Sequence, residues 1–103
     1  MCYNNPMLLV RRLIWDAWNV AHIARHEVTP DEVEEVCHSD AVADQGYKGR
    51  IRLVGPTATG RMLAVILAPE GRGVYYTVTA RPASRKEHHK HQEEQGGERN
   101  DKN

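Results

Sequence analysis

Cationic and histidine side chains are concentrated between residues 81 and 91, where their chemistry suits a phosphate ligand. The stretch has one carboxylate, Glu87, among four Lys or Arg residues and three histidines: Arg81, Arg85, Lys86, His88, His89, Lys90 and His91. Fixed guanidinium groups bind phosphate oxygens strongly, and nearby aromatic rings can stack on bases. The stretch therefore favours RNA or another phosphate ligand. The alternative is a solvated helix face beside an exposed strand end.

A strand followed at once by a helix must position these groups. Because strand side chains alternate between faces, one face of residues 73–81 is expected in the core, with Val74, Tyr76, Val78 and Ala80. The opposite face carries Tyr75, Thr77, Thr79 and Arg81. Pro82 ends the strand since it has no N–H to donate, and Ser84 with Glu87 forms the capping box of a helix. Arg81 is thus expected at a strand end beside a helix.

Composition indicates one folded domain whose charges are unevenly placed. The chain has 103 residues and a formal net charge of zero. Residues 31–44 nevertheless hold six acids and no Lys or Arg. Its two cysteines, Cys2 and Cys37, are too few for a disulfide framework and favour a reducing cytosol. No apolar run is long enough for a membrane span, so a soluble cytoplasmic protein is expected.

The first half of the chain predicts a strand and two helices. Residues 7–15 alternate as a strand, Asp16 is a candidate N-cap, and an apolar stripe at helical spacing follows: Ala17, Val20, Ala21 and Ala24. A second helix is predicted from Thr29 as N-cap, with Pro30 at the first helical position and Glu32 completing a capping box. Its buried stripe is expected to comprise Val33, Val36 and Cys37.

The second half predicts an antiparallel meander. Residues 38–49 are polar and glycine-containing and predict a surface loop, before strands at 50–54, 62–68 and 73–81 joined by Gly- and Pro-containing turns. The order β-α-α-β-β-β-α predicts an α+β fold with a four-stranded, mainly antiparallel sheet and helices on one face. Residues 1–93 are predicted to form the domain, and residues 94–103 a disordered polar tail.

Several segments together resemble the BrnT toxin family. They are Ile14-Trp15-Asp16 with Asn19, His22 to Thr29, Gly60-Arg61, and Thr79 to Glu87, within a match over residues 8–91. The resemblance implies a RelE-like fold and a small ribonuclease toxin of a bacterial type II toxin–antitoxin pair. It also implies a protein partner, a BrnA-like ribbon-helix-helix antitoxin. The family commonly has Gly where Glu27 stands here and often Tyr near the position of His91.

The implied reaction is RNA cleavage without a metal or another cofactor. It needs a base for the ribose 2′-OH, a cation for the charged phosphorane and an acid for the leaving 5′-oxygen. Arg81 is the first candidate for the cation and His26 for the acid or base. The catalytic candidates are Arg81, His26, Arg61 and Arg85. The RNA-binding candidates are Arg25, Arg50, Tyr75, Lys86 and His88, with Tyr75 expected to stack on a base.

Structural explanations compete with several of these assignments. His26 could bond the last carbonyls of a helix, and Arg61 could pair with Glu70 or Asp44. Trp15 and Trp18 are predicted to pack in the core rather than to bind RNA. A metal site at the histidines of residues 88–91 is disfavoured, because no Cys or carboxylate partner is evident.

Three functional hypotheses remain from the sequence. The first is a growth-arresting endoribonuclease toxin that acts on RNA and is silenced by its antitoxin in a hetero-oligomer. The second is a catalytically inactive RelE-like module that acts through a protein partner. The third is a self-associating domain, such as a homodimer, that pairs through an exposed edge strand.

Overall fold

The computed structural model describes the backbone of residues 10–96 and the side chains of residues 10–94. The strands and helices begin and end as follows: β1 Arg12–Ile14, α1 Ala17–Ala24, α2 Pro30–Cys37, β2 Val42–Gln45, a 3-10 helix Tyr47–Gly49, β3 Ile51–Pro56, β4 Met62–Gly71, β5 Val74–Pro82 and α3 Arg85–Gly96. The predicted strand at residues 7–9 lies outside the described part. Residues 94–96 of the predicted tail are helical, and the rest of that tail lies outside the described residues.

The sheet has five strands in the order β1-β5-β4-β3-β2, so the α+β class is confirmed and the four-strand prediction is wrong. β1 pairs in parallel with β5, and the other neighbours are antiparallel. The additional strand is β2, within the predicted loop, where Val42 pairs with Val54 and Asp44 with Arg52. Its side chains are short or polar and only half-buried, so it lacks the apolar alternation that identifies a strand.

Helices cover both faces of the sheet, which corrects the prediction of one covered face. Leu53 of β3 is buried in the core with Ile23 of α1 and Val33 of α2. Arg52, which points to the opposite face, instead contacts Glu87 of α3. We call the α1–α2 side the inner face and the α3 side the outer face. The central strand β4 contributes Leu63, Val65 and Leu67 to the core on the inner face.

A β-bulge in β5 changes which of its side chains face the core. Ile66 pairs with Thr79, but Leu67 pairs with Thr77, so Val78 is an extra residue without its own partner. Ala80 is buried, as expected. Tyr75 and Thr77, which precede the bulge, are also buried, although they were predicted on the opposite face. The predicted core positions Val74, Tyr76 and Val78 are only half-buried.

The N-caps of α1 and α2 agree with the sequence, whereas the buried face of α1 does not. Asp16 and Thr29 each form a capping box, with Asn19 and Glu32. In α2, the predicted stripe is buried: Val33, Val36 and Cys37. In α1 the predicted stripe, Ala17, Val20, Ala21 and Ala24, is exposed, and the buried residues are Asn19 and Ile23.

Asn19 sets which side of α1 faces the core, because its side chain forms hydrogen bonds with backbone groups in the interior. It is fully buried, and its Oδ1 accepts a 2.8 Å hydrogen bond from the Asp16 N–H. Its Nδ2 donates to the carbonyls of Ile14 at 2.9 Å and Thr77 at 3.1 Å. One amide thereby joins β1, α1 and β5, which is a contact that an apolar periodicity cannot reveal.

Within the described residues, no helix combines the length and apolar character needed to span a membrane. Cys37 is a free, buried thiol, as expected of a small core residue. Burial raises its pKa to about 12, so it stays protonated. Cys2 lies outside the described residues.

We expect Asn19→Ala to lower the free energy of unfolding by about 3 kcal/mol, because it leaves the buried Thr77 carbonyl and the partly buried Ile14 carbonyl without their donor. Urea unfolding followed by circular dichroism measures this change. Val20→Ala, on the exposed side of the same helix, is the matched control and should stay within about 0.5 kcal/mol of wild type. An equal effect of the two substitutions would contradict the role of the amide.

Candidate functional site

The end of β5 and the first turn of α3 are joined by the predicted capping box. The Ser84 N–H donates to Glu87 Oε1 at 2.8 Å, and the Glu87 N–H donates to Ser84 Oγ at 3.2 Å. Pro82 is the last residue of β5, so Arg81 lies one residue before the strand ends. The predicted placement of Arg81 at a strand end beside a helix is therefore confirmed.

The Glu87 carboxylate does more than cap the helix, since it binds two arginines. Arg81 Nη1 and Nη2 donate to its two oxygens at 2.7 and 2.9 Å, and Arg52 Nη1 donates to Oε2 at 3.2 Å. Glu87 is only 5% exposed. The carboxylate thus holds both guanidinium groups in fixed positions on the outer face.

Further ion pairs extend this group across the outer face. Asp44 of β2 accepts hydrogen bonds from Arg52 Nη2 at 2.7 Å and from Arg52 Nε at 3.2 Å. Lys90 Nζ lies 3.5 Å from the same carboxylate. We call these residues, Asp44, Arg52, Arg81, Glu87 and Lys90, the outer-face ion cluster. Four of them, all except Arg81, border a small groove between α3 and the sheet that Val42, Val54 and His91 also line.

Glu87, Arg81 and Arg52 keep their charges over a wide pH range. Hydrogen bonds from Arg81 are the main cause that lowers the pKa of Glu87 from 4.5 to about 2. Hydrogen bonding to Glu87 raises the pKa of Arg81, and hydrogen bonding to Asp44 raises the pKa of Arg52. The Arg81 side chain is still 38% exposed, so this permanently charged group can also meet a ligand from solvent.

Other predicted cations surround this cluster on α3. Arg85, Lys86 and His88 are exposed in its first turns, close in sequence to Arg81. His88 lies one helical turn beyond Ser84, whereas His89 points away from Glu87 and pairs with Glu93 at 3.1 Å. Arg50 precedes β3 and is half-buried. Helical spacing therefore makes Arg85, Lys86 and His88 project from α3 in different directions, and Arg85, one turn before His89, shares the side of that histidine.

Tyr75 does not share the face of Arg81, so the prediction that places the two side chains on one face is wrong. It is 9% exposed and belongs to the core cluster. The bulge at Val78 shifts the alternation, and Tyr76 takes the outer face with Thr79 and Arg81. Its hydroxyl donates to the Asp16 carboxylate at 3.1 Å. Burial and this hydrogen bond raise the pKa of Tyr76, so it remains a proton donor.

A second group of predicted residues lies at the junction of α1 and α2. Arg61 Nη1 donates to the Glu27 carbonyl at 2.7 Å and to both Glu32 oxygens at 3.2 Å. Its Nη2 donates to the His26 carbonyl at 3.3 Å. Arg61 thus pairs with Glu32, not with Glu70 or Asp44, and it fixes the connection between the helices. Arg25 and His26 are exposed there.

The junction contains Glu27, at which this chain differs from the BrnT pattern. Glu27 has φ of 61°, in the left-handed region that favours glycine. The family commonly has Gly at this position. In this chain Glu27 adopts the left-handed conformation with its side chain present, and Arg61 donates a hydrogen bond to the Glu27 carbonyl.

The predicted catalytic residues therefore lie in two separate groups. Arg81 and Arg85 belong to the outer face, and His26 and Arg61 to the helix junction. Reasoning from sequence missed Arg52, Asp44 and Tyr76, although alternation in β3 does place Arg52 opposite the buried Leu53. Among the described residues, no group of three or more His, Cys, Asp or Glu side chains is placed to hold a metal ion.

We expect Glu87→Gln to destabilise the fold in a pH-dependent way. The pKa of Glu87 is lowered on folding, so its stabilisation is complete above about pH 4.5 and is lost as pH falls towards 2. The difference in unfolding free energy from wild type should be on the order of 3 kcal/mol at pH 7 and should shrink below pH 4.5. Urea unfolding at pH 7, 4 and 2.5 measures it. A difference that does not change with pH would contradict the ionic role.

No family model matches the chain, and no curated protein sequence matches it. Among solved structures, the chain is similar to the crystal structure of the Brucella abortus ribonuclease toxin BrnT, with 25% sequence identity and a TM-score of 0.59. The similarity covers 72% of this chain and 97% of the BrnT chain. The resemblance that the sequence indicated is thus confirmed in three dimensions, and this chain has a BrnT-like toxin fold.

Proposed function

We propose that this protein is a toxin of a type II toxin–antitoxin pair, an endoribonuclease that cleaves cytoplasmic RNA without a metal and arrests growth. The observation that carries the proposal is the fixed Arg81 guanidinium beside the first turns of α3, which carry Arg85 and Lys86, in a chain that shares its fold with a ribonuclease toxin. Glu87 holds this cation in place before a substrate arrives. Such preorganised charge stabilises a transition state without a reorganisation cost.

The outer face supplies the groups that would hold the RNA. Arg81 binds the scissile phosphate through the part of its side chain that faces solvent. The exposed Arg85 and Lys86 bind flanking phosphates on the backbone. Tyr76, half-buried on the same face of β5, offers a ring to an unpaired base in the role first expected of Tyr75.

The reaction needs proton transfers as well as charge stabilisation. A base removes the proton of the ribose 2′-OH, the 2′-oxygen bonds to the adjacent phosphorus, and the bond to the 5′-oxygen breaks as that oxygen receives a proton. The products are a 2′,3′-cyclic phosphate and a 5′-hydroxyl end. His88 is the group that we assign to proton transfer, because imidazole exchanges protons near neutral pH and lies one turn beyond Ser84.

The helix junction has a supporting role in this proposal. The guanidinium of Arg61 is occupied by two carbonyls and Glu32, so it is positioned to stabilise the junction. Catalytic roles of His26 and Arg61 stay predictions. The partner of the toxin is proposed to be a BrnA-like ribbon-helix-helix antitoxin in a hetero-oligomer, and a homodimer of the chain likewise stays a prediction.

One observation favours a second candidate function, an inactive module that binds RNA or a protein. Both Nη atoms of Arg81 already donate to Glu87, so a phosphate must share or replace this bidentate pair. A module of this kind would bind RNA with strong salt dependence but would not cleave it.

We expect Arg81→Ala to reduce RNA cleavage at least about 100-fold, because it removes the main cation at the phosphate. Purified protein is incubated with a labelled single-stranded RNA in EDTA, and growth and RNA integrity are followed after induction in a bacterial host. Arg72→Ala, an exposed arginine in the β4–β5 turn, is the matched control and should cleave like wild type. Arg81→Lys keeps a positive charge beside Glu87. If this variant folds but cleaves RNA more slowly than wild type, the loss of activity is not caused by unfolding.

The same experiment separates the two candidate functions. An intact, folded wild type that binds RNA but never cleaves it would contradict the enzyme and favour the binding module. Cleavage that is equal in wild type and a folded Arg81→Ala variant would remove Arg81 from the site.

His88→Ala should lower the cleavage rate about 100-fold while leaving RNA affinity within a few-fold of wild type. His89→Ala is the matched control, since His89 points away from Glu87 and pairs with Glu93. Single-turnover rates measure the effect, and a loss of rate is expected only in His88→Ala. Equal rates in the two variants would exclude His88 from proton transfer.

A further inference from the structure

Arg81 and Arg52 bind the same carboxylate through different parts of their guanidinium groups. A guanidinium carries five N–H donors in one plane. Nη1 and Nη2 together form a fork at its end, and Nε with the second N–H of Nη2 forms a fork at its side. We call these the end fork and the side fork. Arg81 uses its end fork, since its Nη1 and Nη2 donate to the two Glu87 oxygens at 2.7 and 2.9 Å.

The side fork of Arg52 is occupied. Its Nε and Nη2 donate to the two oxygens of Asp44 at 3.2 and 2.7 Å. Its Nη1 donates to Glu87 at 3.2 Å. Arg52 therefore has a carboxylate of β2 on one side and a carboxylate of α3 on the other, and its role is to join the two elements.

The side fork of Arg81 is open. Arg81 Nε forms no hydrogen bond within the described part of the chain, and the third contact of the guanidinium is a 3.4 Å bond from Nη1 to the Pro82 carbonyl. Among the described side chains, the only buried nitrogen or oxygen without a partner is Thr77 Oγ1, so Arg81 Nε is reached by solvent. Glu87 thus fixes the orientation of a fork that a ligand can approach.

The charge beside this fork favours an anion. The outer-face ion cluster contains three cations and two carboxylates, so one positive charge remains without a counter-charge inside the cluster. Arg61 provides a comparison, because its Nη1 and Nη2 are also occupied and its Nε has no partner among the described residues. Arg61 pairs with Glu32, and this pair has no net charge. The two open forks therefore differ in the charge that surrounds them.

We infer that the side fork of Arg81 binds one phosphate group of the RNA backbone while Glu87 stays bound to the end fork, an inference that rests on the function proposed above. Two parallel N–H groups match two oxygens of a phosphate as well as those of a carboxylate. Nη2 is the one nitrogen that the two anions share. The positive charge of Arg52 on Glu87 reduces the repulsion between the carboxylate and the phosphate. Of the two arginines that share Glu87, Arg81 is the ligand-binding one.

The test follows the arginine Nε–H signals of the full chain by heteronuclear NMR during a titration with inorganic phosphate at constant ionic strength. Arg81→Lys and Arg52→Lys identify the two signals by their loss. We expect the Arg81 signal to shift until it saturates, and the Arg52 signal to stay in place because its Nε is bonded to Asp44. The Glu87 backbone N–H, which donates to Ser84, should exchange with solvent no faster than before.

Two variants extend the test. Arg81→Lys keeps the charge but removes the fork, so phosphate affinity measured by calorimetry should fall at least about tenfold. Arg72→Lys, at an exposed arginine in the β4–β5 turn, is the matched control and should bind like wild type. Asp44→Ala opens the side fork of Arg52, whose Nε–H signal should then respond to phosphate as well. An unresponsive Arg52 signal in Asp44→Ala would contradict the role given to the occupied fork.

A single-stranded DNA oligonucleotide distinguishes a backbone phosphate from free phosphate. It has phosphodiester groups like those of RNA but lacks the 2′-OH that cleavage needs, so its binding is observed without turnover. It should shift the Arg81 signal as inorganic phosphate does. A response to inorganic phosphate alone would assign the fork to free phosphate and overturn the inference.

Three other outcomes overturn the inference. Equal shifts of the Arg81 and Arg52 signals would indicate a general effect of the ion, and faster exchange at Glu87 would show that phosphate replaces the carboxylate. A response to acetate as strong as that to phosphate would assign the fork to a carboxylate.

Failure of the proposed function has a different signature. A wild type whose Arg81 signal responds to phosphate and DNA but which never cleaves RNA would contradict the enzyme and leave the inference in place for a binding module. RNA cleavage without any response of the Arg81 signal would contradict the inference alone.

Discussion

A single carboxylate organises the outer face of this protein. Glu87 caps α3, binds the Arg81 guanidinium through both oxygens and binds Arg52, so it joins the helix to two strands of the sheet. Burying a carboxylate is costly unless it is fully paired, and its low pKa shows that the pairing exceeds that cost. α3 has no apolar stripe with which to attach itself, so these polar contacts take the place of a hydrophobic interface.

The contacts between Glu87 and Arg81 that stabilise the fold also limit the proposed activity. Arg81 is rigid because Glu87 holds it, and rigidity favours stabilisation of a transition state. The hydrogen bonds that give this rigidity also occupy the donors that a phosphate would use. On the proposed function, a phosphate would have to share these donors with Glu87 and reach Arg81 through its exposed part.

Features that depend on neighbours in sequence were predictable. The caps at Asp16, Thr29 and Ser84 each rest on residues three positions apart, and all three form. Features that depend on distant parts of the chain were not. The bulge at Val78 results from how β5 pairs with β4, and it exchanged the roles of Tyr75 and Tyr76. Arg81 was placed correctly at its strand end, but its bond to Glu87 and the link to Arg52 needed the packed structure.

The parallel pairing of β1 with β5 has a consequence for the growing chain. Arg12 and Leu13 near the start meet Val74 and Tyr75 near the end, and Asn19 bonds the Thr77 carbonyl. A ribosome must therefore release β5 before β1 has a partner, and such non-local pairing slows folding. The Arg81 and Glu87 pair emerges later still. A nascent chain therefore lacks its outer-face ion cluster until the first turns of α3 have emerged.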